Sequence, residues 1–102
     1  VLPVMAIGGR GVISVLSNVA PRLMSDLCGS WLAGDLDRAR RLYYQMLPLA
    51  MAMFYETNPV PVKAALGLMG KCGPECRLPL APMGEAAKEK LAGMLRRHGL
   101  IN

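Results

Sequence analysis

Apolar and polar positions recur with helical spacing over most of this chain, with one clear interruption near its start. Val1–Ile7 is almost wholly apolar and stops at Gly8-Gly9-Arg10-Gly11. Proline is tolerated in the first turn of a helix, so Pro3 permits a short helix with the glycines as its stop. A strand is the alternative, because periodicity does not separate the two over so short a run. The interruption is Gly11–Leu16, Gly-Val-Ile-Ser-Val-Leu, which is short, β-branched and nearly continuously apolar. That is the pattern of a strand covered on both faces in a parallel sheet. A buried strand on its own leaves its backbone N–H and C=O groups unpaired. The pattern therefore predicts that the other strands of the sheet come from elsewhere.

Ser17-Asn18 follows, and asparagine is a good N-cap. Apolar residues at Ala20, Leu23, Met24, Leu27, Cys28, Trp31 and Leu32 predict an amphipathic helix ending at Gly34. Asp35 is placed to cap the next helix, Leu36 to Phe54, with its stripe at Leu36, Ala39, Leu42, Tyr43, Met46, Leu47, Ala50, Met53 and Phe54. Pro48 is expected to kink it. Pro59 and Pro61 suit an extended entry and a helix first turn, giving a short helix Val62–Met69 that ends at Gly70. Lys71–Pro82, with three prolines, is read as a loop. The last helix, Glu85–His98, places Ala87, Leu91, Met94 and Leu95 on one face, with Gly99-Leu100 as a glycine C-cap and basic residues in the final turn.

Composition sharpens this picture. A chain of 102 residues allows one small domain at most. Small bodies have much surface for their volume, yet 53% of the residues are hydrophobic, 19% are charged and the mean hydropathy is positive. The chain must cover a face against something else or enter a membrane. A spanning helix needs about 20 consecutive apolar residues, and the longest candidate, Met46–Phe54, is too short and contains Pro48. No signal peptide is evident either. Because the chain opens on Val1 inside an apolar pattern, we expect a larger protein extending upstream.

The net charge of +5 comes largely from Arg38, Arg40 and Arg41 and from Lys88, Lys90, Arg96 and Arg97. Nucleic-acid binding calls for basic residues interleaved with stacking aromatics. Trp31, Tyr43, Tyr44 and Phe54 instead fall within or beside the apolar pattern, so the basic residues read as solvated helix faces.

Individual candidates for chemistry are few. Cys72 and Cys76 lie four apart, but a zinc site needs four ligands, and the remaining soft donors, Cys28 and His98, are far away in sequence. A local disulfide is conceivable though unusual in a cytosolic protein. The Gly8–Gly11 run precedes its strand, whereas a dinucleotide fingerprint follows one. His98 has no carboxylate neighbour in sequence. Lys63, Lys71, Lys88 and Lys90 are Schiff-base lysines by type only, since such a lysine needs a desolvated pocket. What remains is position: parallel sheets bind ligands beyond the carboxyl ends of their strands, here Ser14–Asn18.

Gly11-Val-Ile-Ser-Val-Leu-Ser-Asn-Val-Ala20, Asn58-Pro-Val-Pro-Val-Lys63 and Arg77-Leu-Pro-Leu-Ala-Pro82 come in the order and at the spacing of the dihydrodipicolinate synthase (4-hydroxy-tetrahydrodipicolinate synthase) family, which the chain resembles over essentially its whole length. The resemblance implies an α/β fold: the C-terminal part of a (β/α)8 TIM barrel plus a C-terminal helical appendage, mostly helical as a fragment. Residues 1–34 correspond to the tail of the seventh barrel helix, the eighth strand and the eighth helix, and residues 35–102 to the appendage. The family condenses pyruvate with aspartate semialdehyde through a lysine Schiff base, in lysine and diaminopimelate biosynthesis, with no metal or organic cofactor. It is usually homotetrameric and cytoplasmic, and acts on neither nucleic acid nor membrane. The Schiff-base lysine belongs to the sixth strand, which is not in this chain, so no catalytic residue is expected here and the chain alone is expected to be inactive. Ile13 is the one position that carries over, its backbone packing against the pyruvyl site, with Ser14 and Asn18 behind it. The loop with Cys72 and Cys76 is not a family motif, and Gly84 stands where a polar cap is usual. Two other readings compete, a different pyruvate-dependent aldolase and a free-standing helical interaction module; the lone apolar strand argues against the second.

Overall fold

The computed structural model describes residues 1–102. Five α-helices and one 3-10 turn account for its regular structure: α1 Leu2–Ala6, the 3-10 turn Val15–Asn18, α2 Pro21–Leu32, α3 Leu36–Ala52, α4 Val60–Leu68 and α5 Glu85–Arg97. The chain packs as two compact units, Val1–Pro48 and Leu49–Asn102.

In the first unit α1 begins with proline in its first turn, as expected of Pro3. The 3-10 turn and α1 both pack against α2. Met5, Leu16, Val19, Met24 and Leu27 are buried, and Leu27 is fully enclosed. Ser30 is the one buried polar side chain, and its hydroxyl donates to the Asp26 carbonyl at 2.7 Å. Gly34, at φ 82°, ends α2. Its N–H donates to Trp31 O, and the N–H of Asp35 donates to Ser30 O, the paired bonds of a Schellman cap. Asp35 then caps α3 as anticipated, its Oδ1 accepting from Arg38 N at 3.0 Å.

Two expectations fail in this unit. Gly11–Leu16 forms no strand. Ser14 is extended, at φ −137° and ψ 134°, but a strand is completed only by a neighbour's ladder of hydrogen bonds, and no other segment of this chain is extended beside it. The run instead stays open from Arg10 to Ser14, and its last residues turn into the 3-10 element. Asn18 does not cap α2 either. Its Nδ2 donates to Val15 O at 3.0 Å, closing the 3-10 turn. Helix α2 starts three residues later, with Ala20 at its N-cap and Pro21 in the first turn.

The second unit holds the end of α3, then α4, the long loop and α5. Helix α3 runs through Pro48 to Ala52. Asn58-Pro59 and Leu78-Pro79 are cis peptide bonds. Helix α4 starts at Val60, two residues earlier than the proline pattern predicts, and its Val60, Pro61, Val62, Ala64 and Ala65 are buried. It packs on α5, which buries Leu91, Ala92 and Leu95. Gly99, at φ 69°, closes α5 with a second Schellman cap, in which Gly99 N donates to Arg96 O and Leu100 N to Leu95 O.

Candidate functional site

Gly11–Asn18 is the segment that both sequence arguments single out, and the structure shows what each residue there does. Ile13 stands fully in solvent at 106% relative exposure, and Val12 is exposed beside it. No residue from Arg10 to Ser14 donates a backbone hydrogen bond to the protein. Two exposed β-branched side chains on a run of free amides make a segment able to enter a sheet, because its backbone groups are available and its side chains gain from cover. Ala6, Ile7 and Val4 before it are also exposed, with Ile7 at 86%.

Ser14 and Asn18 are committed locally. Ser14 Oγ accepts from Leu16 N at 3.3 Å, and Ser17 Oγ donates to the Ser14 carbonyl. With the Asn18–Val15 bond, three side chains hold the 3-10 turn and set the direction in which the segment leaves it. Leu16 anchors that turn in the core. The arrangement is therefore an unpaired extended run delivered from a fixed turn. Sequence reasoning found the segment but assigned Asn18 to the helix cap, since asparagine at a helix entrance has the same pattern in either role.

The other titratable and nucleophilic groups do not gather. Lys63 and Lys88 are half-buried, and Lys71 is exposed. Lys90 Nζ lies 4.5 Å from the centroid of the Tyr55 ring, a cation–π contact at the surface rather than a desolvated pocket. His98 Nδ1 is 2.9 Å from Met94 O, on the last turn of α5. Cys28, Cys72 and Cys76 are free thiols, and no three of the His, Cys, Asp and Glu side chains come together as a metal site. No helix is long and apolar enough to cross a membrane. Arg38 pairs with Asp26 at 3.7 Å and Arg40 with Asp37 at 3.7 Å, both at the surface. An open cavity of about 150 Å³ in the second unit is lined by Val60, Ala64, Pro74, Glu75, Met83 and Lys88. Val60 and Pro82, from two of the sequence motifs, stand in its wall.

The profile of the dihydrodipicolinate synthetase family matches residues 1–98. A 4-hydroxy-tetrahydrodipicolinate synthase of Geobacter metallireducens is 54% identical over 99 residues, which is 97% of this chain and 34% of that protein. The crystal structure of dihydrodipicolinate synthase from Thermotoga maritima superposes with a TM-score of 0.93 at 48% identity, over 95% of this chain and 33% of that one. A chloride-inhibited dihydrodipicolinate synthase from Acinetobacter baumannii, complexed with pyruvate, superposes with a TM-score of 0.91 at 39% identity, over 97% of this chain and 34% of its own. The chain thus spans about a third of the length of the curated relatives it matches.

Proposed function

The chain belongs to the dihydrodipicolinate synthetase family, and from that premise we propose that it is the C-terminal third of a 4-hydroxy-tetrahydrodipicolinate synthase. In this reading α1 is the end of the seventh barrel helix, the open run that precedes the 3-10 turn lies in the eighth strand, α2 is the eighth helix, and the remaining helices form the appendage. The observation that carries the reading is the open run Arg10–Ser14, whose backbone N–H groups donate to nothing in the protein and whose Val12 and Ile13 side chains are exposed, at the place where a barrel would supply a neighbouring strand on either side.

The complete enzyme joins pyruvate to aspartate semialdehyde. A lysine on another part of the barrel condenses with the pyruvate ketone, losing water, and the imine draws electrons from the adjacent methyl group to give an enamine. The enamine carbon attacks the aldehyde, and the adduct cyclises. The imine is its own electron sink, so the reaction uses no metal or organic cofactor. This chain contributes structure to that site rather than a reacting group. Ile13 brings its backbone to the pyruvyl pocket from within the eighth strand, just before the carboxyl end, Ser14–Asn18, where barrel enzymes place their chemistry. Ser14, Ser17 and Asn18 fix the turn that aims it. The assembled protein is a cytoplasmic homotetramer, and the isolated chain is inactive.

Borohydride trapping tests this. The chain is incubated with pyruvate and reductant, first alone and then after refolding with the complementary two-thirds of a close relative. The expected result is no adduct alone and, after complementation, a reduced pyruvyl adduct on the complementing segment together with recovered synthase activity. A pyruvyl adduct on Lys63, Lys71, Lys88 or Lys90 overturns the assignment.

A further inference from the structure

The loop between α4 and α5 carries a pair of thiols that the synthase reading leaves without a role. Cys72 is exposed and Cys76 is half-buried, both are free, and Gly73-Pro74-Glu75 separates them. We propose that Cys72 and Cys76 are a redox pair, which a hydroperoxide converts into a disulfide within the loop.

The backbone is free to make the change. Residues 72–76 neither donate nor accept a backbone hydrogen bond, so folding the loop breaks none. A fully extended run of this length separates its end Cα atoms by roughly 13 Å, whereas a disulfide holds them about 4.4–6.8 Å apart. A bridge thus requires the chain to turn at Gly73-Pro74, and that dipeptide is suited to it, since glycine is free in φ and proline keeps the turn stiff. A bridge closing so small an exposed loop gains little from the entropy of the unfolded chain. It belongs with the labile disulfides, which form and are reduced again, rather than with structural ones.

The chemistry balances with the hydroperoxide as sole oxidant. The Cys72 thiolate, on the exposed side, attacks the outer oxygen of the peroxide. The O–O bond breaks, the alkoxide leaves and takes a proton, and Cys72 becomes a sulfenic acid. The sulfur of Cys76 then attacks that of Cys72. The S–S bond forms as the S–O bond breaks, and the departing hydroxide leaves as water with the Cys76 proton. Two thiols lose two electrons in all, and the peroxide bond gains them.

The bridge has a structural consequence because of what lies between the thiols. Pro74 and Glu75 line the cavity beside Val60, Ala64 and Lys88. Pro74 also packs on Gly67 of α4 so closely that a Cβ added there would meet Pro74 Cβ at 3.1 Å. Drawing Cys72 and Cys76 together moves the residues that wall this cavity, so the oxidation state of the loop is read at α4 and α5.

Trypsin provides the test, because it cuts after Lys71 and after Arg77 and leaves both cysteines on one short peptide. The purified protein is treated with hydrogen peroxide under native conditions, alkylated without reductant, digested and weighed. The expected peptide 72–77 is unlabelled and lighter by two hydrogens, and prior reduction restores both labels, while Cys28 is labelled throughout. In C76S the expected product is a sulfenic acid at Cys72, trapped by dimedone. In C72S the bridge is lost. A doubly labelled peptide after peroxide, or conversion of Cys72 to sulfinic acid with Cys76 still labelled, overturns the proposal.

Discussion

The carboxylate of Glu56 accepts a hydrogen bond from the backbone N–H of Gly84 at 3.0 Å, 28 residues along the chain. Gly84 is the N-cap of α5 and has no side chain to offer. In most helices the cap comes from the residue itself or from a few positions away. Here the segment after α3 supplies it from a distance, and it places negative charge where the helix dipole favours it. The same bond fastens the start of α5 beside the entrance to α4. Replacing Glu56 with alanine is expected to lower stability by about 0.5–1 kcal/mol, read from the midpoint of urea unfolding. Gly84→Ser in the Glu56→Ala background is expected to recover a few tenths of a kcal/mol by a different bond, its hydroxyl oxygen accepting from an N–H further into the first turn, because the backbone at Gly84 (φ −61°, ψ 145°) already has cap geometry. If Glu56→Ala leaves the urea midpoint unchanged, the role of Glu56 lies elsewhere.

Leu49, within α3, and Phe54, two residues beyond its end, form a second test. Leu49 is fully enclosed, while Phe54 is 61% exposed. Leu49→Ala is expected to cost about 2–5 kcal/mol, the range for emptying a closed core site. Phe54→Ser stays within about 0.5 kcal/mol, as surface changes do. Thermal unfolding of the two variants checks the contrast.

The apolar pattern points the other way at both positions, and the reason is physical. Every residue from Met46 to Phe54 is apolar, so helical periodicity has no polar face there to fix the phase. The helix also ends at Ala52, which removes Phe54 from the helical register. Where polar residues do interrupt the stripe, as around Met24 and Leu27 or Leu91 and Leu95, the pattern places the core correctly. Helix stops were legible for the same kind of local reason, since Gly34 and Gly99 answer a steric demand of the cap itself. The Glu56–Gly84 bond was not legible, because nothing local pairs those residues. The composition of Gly11–Leu16 predicts a strand, but a strand is a relation between two segments, and no second extended segment lies beside this one, so the run stays open.

Gly67 and Pro74 give a third prediction. Alanine at Gly67, the penultimate residue of α4, gains part of the roughly 0.8–1.0 kcal/mol of helix propensity that an interior position gives, but its Cβ meets Pro74 Cβ at 3.1 Å. The sign depends on whether the loop yields. Its residues 72–76 make no backbone hydrogen bonds, so Gly67→Ala is expected to be stabilising, by up to about 1 kcal/mol. A rise in the melting temperature checks it. A fall shows that the Pro74 contact is rigid.

Ile13 separates what the chain does alone from what it does in a barrel. Its side chain touches nothing in this structure, at 106% exposure, so Ile13→Asp leaves the unfolding of the isolated chain unchanged within about 0.5 kcal/mol. The same exposed run, with Val12 and Ile7, gives the isolated chain a surface that binds a hydrophobic dye and promotes association. Dye fluorescence is expected to drop when the complementary part of the enzyme is added, because the run then lies between two strands. A carboxylate at position 13 cannot be buried there without a partner. Ile13→Asp is therefore expected to abolish recovery of synthase activity on complementation while the chain's own melt stays the same. Ile13→Val keeps the β-branched shape and recovers activity. Should Ile13→Asp complement as well as the parent sequence, the run does not enter the barrel, and the exposed apolar surface serves some other contact.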